Sequence, residues 1–321
     1  MIRLSNIFHL RSFSKRLTVL MVILLMSTSL FASSARDVLL SQGYVEVPIY
    51  FSSHPSAILV DIAFSDGNSH PFLVDSGSTV TSFHLGSDGI AAMGMRLHNK
   101  SILNGGSGGA YIRERQATIP MIRMGQFTAY NEPAYVSMSG GTSHLFTGII
   151  GADFLRRHQA ILDVANHTLY LKPSGAYSAS RLLASSLMQA GYQAIPLQRS
   201  ASRHQIVMVS VNGSQATPFL FDSGASKTLV SDAYARSHGM AVEQNVDGAT
   251  GATGGHFSVG RTYVNRFVVG HVAFGNQQVY TTNFSHISAG SRQVSGAIGI
   301  DWMSDHEAIV DMAHDVVFVR R

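Results

Sequence analysis

The sequence predicts an all-β protein built from two duplicated lobes with short helices. An apolar strand that ends in Asp-Ser-Gly occurs twice, at residues 71–78 and 218–225, so that Asp222 follows Asp75 by 147 residues (222 − 75). A block around Gly148 recurs around Gly296 at an offset of 148 (296 − 148). Solenoid repeats have periods of about 20–50 residues. A period this long, with two copies, therefore indicates two duplicated lobes.

Length and composition agree with this organisation. The chain has 321 residues, of which 45% are hydrophobic and 30 are glycine. This is enough apolar material for more than one core. We expect an N-terminal lobe at 36–175, a linker and helix at 176–186, and a C-terminal lobe at 187–321. The chain has no cysteine, which excludes disulfides, thiolate metal sites and a cysteine nucleophile.

Residues 1–35 resemble a signal peptide. Four basic residues precede an apolar run at 17–32, and small residues at 32–35 supply a cleavage site. We expect cleavage near Ala35 and export to the periplasm or the medium, with no stable membrane association afterwards. The alternative is an uncleaved inner-membrane anchor, although the run is shorter than the roughly 20 residues that a spanning helix needs.

The charge balance argues against a nucleic-acid partner. The formal net charge is +4, and the leader carries four basic residues, at positions 3, 11, 15 and 16, and no acidic residue. The mature chain is therefore close to neutral (+4 − 4 = 0). A protein without net positive charge has no electrostatic drive toward phosphates.

Each half repeats the same order of elements. Apolar strands at 58–64 and 206–211 are each followed by a turn, Asp66-Gly67-Asn68 or Asn212-Gly213, which predicts that the Asp-Ser-Gly strand returns antiparallel. Glycine-rich stretches at 104–111 and 248–257 then indicate paired hairpin tips, against the alternative of ordinary surface loops.

The closing block of each half contains an aspartate that is typical of a helix start. Asp153 and Asp301 precede short apolar segments that end at His158 and His306. An aspartate at this position accepts backbone N–H bonds of the first turn. We therefore expect a short helix in each half, followed by a hairpin, and a structural role for both histidines.

The duplicated Asp-Ser-Gly strands, the glycine-rich hairpins and the Gly-x-Asp blocks together resemble the aspartic peptidases. The spacing is most similar to the retropepsin-like bacterial group, here with two tandem lobes as in pepsin-like enzymes. The resemblance covers nearly all of the chain after the leader. It implies the bilobal acid-protease (pepsin/retropepsin-like) fold, with two β-barrel-like lobes and a monomer that forms an internal pseudo-dimer.

The resemblance also assigns the candidate site. Asp75 and Asp222 would be the catalytic pair, and the loops that support them comprise Ser76, Gly77, Ser78, Ser223, Gly224 and Ala225. Ser76 and Ser223 would form hydrogen bonds across the lobe boundary. The candidate residues of two substrate-binding flaps are Gly106, Gly108, Gly109, Tyr111, Gly251, Gly254, Gly255 and Phe257.

The fourth position of the motif differs between the halves. Ser78 can donate a hydrogen bond to Asp75, whereas Ala225 offers none to Asp222. Because hydrogen bonds to a carboxylate favour its charged form, we expect Asp75 to be the ionised partner.

These features predict an exported aspartic endopeptidase that hydrolyses peptide or protein substrates by water activated between Asp75 and Asp222. Neither a metal nor another cofactor is needed for this chemistry. The serines of the motif lack the Gly-x-Ser-x-Gly elbow of a serine nucleophile. A single Asp-Ser-Gly could be an ordinary turn, but two in a matched repeat argue against this. The alternative function is a non-catalytic peptide- or cell-wall-binding module on the same fold.

Overall fold

The computed structural model of the protein describes residues 34–53, 56–105, 111–137, 145–173, 181–250, 256–284, 288–289 and 292–321. Most of the described chain forms β-strands, arranged as one large sheet in each lobe and a third sheet between the lobes. The structure therefore confirms the predicted all-β, bilobal fold.

The sheet of the N-terminal lobe has eight strands: Tyr50–Phe51, Ile58–Ala63, Ser69–Asp75, Ser82–His84, Arg96–Gly105, Tyr111–Met124, Phe127–Ser137 and Gly148–Gly151. The sheet of the C-terminal lobe has ten: Gln198–Arg199, Gln205–Val211, Thr217–Phe221, Leu229–Ser231, Glu243–Thr250, His256–Val264, Phe267–Val269, Val272–Phe274, Gln277–Thr282 and Gly296–Ile298. A small separate hairpin joins Ser288–Ala289 to Arg292–Gln293.

Both lobes place the Asp-Ser-Gly strand in the same way. Ser69–Asp75 runs antiparallel to Ile58–Ala63 and parallel to Gly148–Gly151. The C-terminal lobe repeats this arrangement, antiparallel to Gln205–Val211 and parallel to Gly296–Ile298. The antiparallel return predicted from the turn sequences is confirmed in both halves.

A six-stranded sheet connects the two lobes. Its strands, in spatial order, are Val45–Pro48, Thr168–Leu171, Ile161–Asp163, Ile309–Asp311, Val316–Val319 and Gln193–Pro196. The middle strands are antiparallel, with Leu162 opposite Val310. The approximate twofold axis of the duplication therefore passes between these two residues, and the predicted closing hairpin of each half contributes to this shared sheet.

Six short helices complete the described structure: Ala35–Ser41, Ser87–Ala92, Ala152–Arg157, Arg181–Gln189, Asp232–Ser237 and Ile300–Asp305. The first and fourth pack against one face of the six-stranded sheet, where Leu39, Leu183 and Leu187 are buried. The helix Arg181–Gln189 is the counterpart of the helix Ala35–Ser41, because the two are separated by about the 148-residue offset of the repeat. It ends at Gln189, whereas the sequence predicted that the linker and its helix end at residue 186.

The largest cluster of buried apolar residues contains equivalent residues of both lobes, for example Phe72 and Phe219, which are fully buried.

None of the described helices is long and apolar enough to cross a membrane.

Candidate active site

The lobe sheets bring Asp75 and Asp222 together. Asp75 is the last residue of its strand, and Asp222 directly follows the strand Thr217–Phe221. The two carboxyl groups form a hydrogen bond with each other. Asp75 is buried and Asp222 is partly exposed. Two acidic side chains that stand 147 residues apart in the sequence thus form one ionisable pair.

Glycines pack against the pair from the opposite lobes. A Cβ atom added to Gly77 would overlap with the carboxyl group of Asp222, and one added to Gly224 would overlap with that of Asp75. A side chain at either position would therefore displace a carboxylate. This close approach is the physical reason for glycine in both copies of the motif.

Ser76 and Ser223 join the two loops by four hydrogen bonds. The Ser76 N–H donates to Ser223 Oγ over 2.9 Å, and Ser223 Oγ donates to the Val74 carbonyl oxygen over 2.8 Å. The reciprocal bonds run from the Ser223 N–H to Ser76 Oγ and from Ser76 Oγ to the Phe221 carbonyl oxygen, each over 2.9 Å. Both side chains are 1% exposed, so these bonds are shielded from water.

The environment raises the pKa of both carboxyl groups. Burial raises the pKa of Asp75 well above its ordinary value, and the negative charge of Asp222 raises it further. Burial also raises the pKa of Asp222, but the Gly224 N–H donates a hydrogen bond to its Oδ1 over 2.8 Å and opposes the effect. Both carboxyl groups therefore favour their protonated form, and the pair is suited to share one proton.

The hydrogen bond on which the expectation of an ionised Asp75 was based is wrong. The Ser78 hydroxyl donates to the Val80 carbonyl oxygen over 2.9 Å, not to Asp75. Asp75 instead accepts the backbone N–H of Ser78, over 2.9 Å, and a backbone hydrogen bond from Gly77. The backbone N–H of Ala225 supports Asp222 in the same way, so the Ser/Ala difference gives Asp75 no advantage.

Sequence reasoning missed a threonine that supports each loop. Thr81 Oγ1 accepts the Gly151 N–H over 3.1 Å and donates to Asp153 over 2.8 Å. Thr228 makes the same two bonds, to Gly299 and Asp301, over 3.1 and 2.7 Å. Each threonine stands six residues after its Asp-Ser-Gly aspartate (81 − 75 and 228 − 222), and this spacing was the available signal.

The aspartates of the closing blocks are the second residues of the short helices, and Gly151 and Gly299 occupy the N-cap positions without a side-chain cap. Asp153 and Asp301 accept the backbone N–H of Phe154 and Trp302, within the first turn of the short helices. His158 lies in the core against Phe154 and forms a hydrogen bond with Glu132. In the described part of the chain, no group of three or more histidine, aspartate and glutamate side chains is placed to hold a metal ion.

The flap candidates are only partly within the described structure. Gly106, Gly108, Gly109, Gly251, Gly254 and Gly255 lie outside the described residues. Tyr111 is the first residue of the strand Tyr111–Met124, and Phe257 is the second residue of the strand His256–Val264. The side chains of both residues lie outside the described structure. The strands that flank the two glycine-rich stretches pair antiparallel, with Gly105 opposite Tyr111 and Thr250 opposite His256. Both lobes therefore carry a hairpin at the predicted place.

An apolar cluster lies beside each aspartate. Leu73 stands two residues before Asp75, and alternation along a strand places both side chains on the same face of the sheet. We call this face of each lobe sheet the dyad face. Leu73 packs there with Leu59 and Ile149. Leu220 packs with Ile206 and Ala297 in the equivalent cluster of the C-terminal lobe.

Comparisons with known proteins agree with this architecture. Residues 207–302 match the sequence model of a family described as aspartyl protease. The matched segment contains Asp222 and the closing block at Gly296, whereas Asp75 lies outside it. The match supports a peptidase.

A solved structure shows the same fold over most of the chain. The aspartic proteinase from Irpex lacteus superposes with a TM-score of 0.51 at 13% sequence identity, covering 87% of this chain and 97% of that protein. No curated protein sequence matches. The chain therefore has the fold of the aspartic peptidases, with two lobes in a single chain.

Proposed function

We propose that the protein is an exported aspartic endopeptidase whose catalytic residues are Asp75 and Asp222. The observation that carries the proposal is the hydrogen-bonded pair of carboxyl groups, one from each lobe, in surroundings that raise the pKa of both. Two such groups hold one proton over an acidic range of pH and so provide an acid and a base at the same place. The leader at 1–35 motivates the export.

The shared proton defines the steps of hydrolysis. We place the negative charge on Asp222, which takes a proton from a water molecule while the water oxygen attacks the peptide carbonyl carbon. Asp75 donates its proton to the carbonyl oxygen, which gives a tetrahedral diol. Asp222 then returns the proton to the amide nitrogen, the C–N bond breaks, and Asp75 recovers its proton from a diol hydroxyl. The pair thus ends in its starting protonation state.

The surroundings of the pair support this chemistry. The four bonds of Ser76 and Ser223 hold the loops in register, and fixed geometry favours reaction because the reacting groups need no rearrangement. The apolar clusters at Leu73 and Leu220 lie on the dyad face on either side of the pair. We therefore expect an extended peptide with apolar side chains next to the scissile bond, held beneath the two hairpins.

A peptide-cleavage assay with an inhibitor separates the enzyme from the binding module. The purified chain is incubated with a peptide library at mildly acidic pH, and products are identified by mass spectrometry. We expect cleavage that a statine-type peptide blocks, because its hydroxyl takes the place of the attacking water. Binding of peptides without any product would instead favour the binding module.

A further inference from the structure

A cavity of about 600 Å³ lies on the face of the six-stranded sheet that the first and fourth helices cover. Its walls are the start of the first helix and the end of the fourth, and Asp163, Thr168 and Tyr170 of the sheet also line it. Binding sites for small molecules commonly have volumes of about 300–1,000 Å³. Neither Asp75 nor Asp222 lines this cavity, so it is separate from the candidate active site.

The register of the sheet sets which side chains form the floor of the cavity. Ile161 is buried beneath the two helices, and Asp163, two residues further along the strand, shares this face. Thr168 is opposite Asp163 in one neighbouring strand, and Ile309 is opposite it in the other. Asp163 is 4% exposed, so its carboxyl group lies at the floor of the cavity and not at its mouth.

Both arginines that line the cavity already have carboxylate partners. Arg36 donates from Nε and from Nη2 to the two carboxylate oxygens of Glu46, each over 2.7 Å. Arg320 Nη1 lies 3.0 Å from Glu307 Oε2. These two cations are therefore matched by two carboxylates other than Asp163.

Asp163 has only neutral donors. It accepts the backbone N–H of Asn166 over 3.0 Å and the side-chain amide of Asn166 over 2.9 Å. No lysine or arginine in the described part of the chain forms an ion pair with it. Burial raises the pKa of Asp163, the bonds from Asn166 oppose this, the charge of Glu307 raises the pKa further, and His167 lowers it with the smallest influence. The carboxylate thus lacks a countercharge within the chain.

The other half of the repeat supplies a partner that Asp163 does not have. Asp311 is the equivalent residue (311 − 163 = 148), and the ring Nδ1 of His314 lies 2.9 Å from its Oδ2. In the first half, Asn166 occupies the position of this histidine. Both aspartates accept a backbone N–H of the turn that follows. The turn therefore explains why each half has an aspartate, but not why one of them faces a cavity without a cation.

The other half also has apolar residues at three positions that line the cavity. These are Ala194, Val316 and Phe318, in place of Glu46, Thr168 and Tyr170. They pack in or against the cluster of buried apolar residues beneath the two helices. The fold therefore does not require a polar lining here.

We propose that this cavity is a binding site for an organic ammonium ion with an apolar body, in which Asp163 holds the ammonium group. Thr168 Oγ1 donates its hydrogen to the Asn166 carbonyl oxygen over 2.9 Å and keeps lone pairs for a second ammonium N–H. Leu187 and Ile309 line the cavity and offer apolar surface to the body. A guanidinium fork uses both carboxylate oxygens at once, and each already accepts a bond from Asn166.

The ligand reaches the site without a rearrangement of the fold. The side chain of Arg36 is 57% exposed, and Gln189 is exposed. Both line the cavity, so its mouth lies at the surface. A hydrogen bond between charged groups is stronger than one from a neutral donor, and a buried charge is screened less by salt. Binding of an ammonium ion therefore adds the countercharge that Asp163 lacks.

Titration calorimetry at pH 7 tests the proposal with two probes of similar shape. Phenethylammonium carries the charge, and 2-phenylethanol is its neutral counterpart. We expect the purified chain to bind phenethylammonium about tenfold more tightly or better, as a charge-assisted hydrogen bond provides. Asp163→Asn keeps the size of the side chain and should bring the ratio of the two affinities close to one. Thr168→Val, which introduces the residue of the other half, should leave an intermediate ratio.

A matched control and the ratio itself separate the outcomes. Asp311→Asn makes the same change in the other half and should leave the preference for phenethylammonium intact. The ratio of two affinities does not depend on the folded fraction of a variant, so a merely structural role would not change it. If Asp163→Asn does not fold, the wild-type ratio and Thr168→Val decide.

Three results would overturn the proposal. They are no measurable binding of phenethylammonium, equal affinity of the wild type for the two probes, and a preference that survives Asp163→Asn or is lost equally in Asp311→Asn. Peptide cleavage does not enter this measurement, so the ammonium site and the proposed peptidase activity can fail independently.

Discussion

The hydrogen bonds between Ser76 and Ser223 make the lobe interface sensitive to the loss of one oxygen atom. Ser223→Ala removes the acceptor of the Ser76 N–H and the donor to the Val74 carbonyl. Both groups are enclosed, since Ser76 is 1% exposed. A buried polar group without a partner costs about 1–3 kcal/mol. Two such groups predict a loss of about 2–6 kcal/mol in the free energy of unfolding.

The reciprocal variant completes a double-mutant cycle. Ser76→Ala removes the other two bonds, and a similar loss is expected. Because both pairs of bonds hold the same two loops, the second substitution should cost less than the first. We expect a coupling energy of about 0.5–3 kcal/mol. Equilibrium unfolding in urea gives the free energies, and kcat with a cleaved peptide reports whether the carboxyl pair stays aligned.

Two further variants control this experiment. Ser76→Thr retains the hydroxyl and should stay close to the wild type. Ser237→Ala removes an exposed hydroxyl bond to the Tyr234 carbonyl and should change stability by less than about 0.5 kcal/mol. If Ser223→Ala is no more destabilising than Ser237→Ala, or if the two alanine variants are additive, the reasoning about the interface is refuted.

Two other predictions concern the carboxyl pair. Asp75→Asn should stabilise the fold at pH 7, by about 1.4 kcal/mol for each unit by which the pKa of Asp75 is raised. A raised carboxyl pKa means that the folded chain holds a proton which the unfolded chain releases above about pH 4, so stability falls as pH rises through the raised pKa. Thermal melts should show the gain at neutral pH and none below about pH 4; an equal gain at every pH would contradict a raised pKa of Asp75. Gly77→Ala should abolish cleavage because its methyl group overlaps with Asp222, whereas Gly275→Ala, with open space around it, should remain active. Equal activity of the two alanine variants would exclude the close packing of Gly77.

The internal repeat predicted most of the fold because both copies carry the same order of strands and turns. Asn212-Gly213 indicated an antiparallel return, and the structure confirms it. The six-stranded sheet was not predicted. The segments Ile161–Asp163 and Ile309–Asp311 have only three residues each, and an apolar pattern of this length does not identify a partner strand in the other lobe.

The candidate site was predicted in its main parts, since the motif fixes which residues approach the axis between the lobes. The motif does not predict which acceptor the Ser78 hydroxyl bonds to. A serine hydroxyl bonds readily with a nearby carbonyl of its own loop, and here the Val80 carbonyl competes with Asp75. The hydrogen bond between Ser82 and Glu114 depends on strand register over a separation of 32 residues, which local sequence patterns do not contain.

Peptide cleavage by Asp75→Asn and Asp222→Asn tests the central claim most directly. Each variant is compared with the wild type at mildly acidic pH on the same peptide, after circular dichroism has shown that it is folded. The account predicts that either change lowers kcat by at least about a thousandfold, because a neutral amide neither takes nor gives the proton that the pair exchanges. Turnover close to the wild-type rate in either folded variant would contradict it.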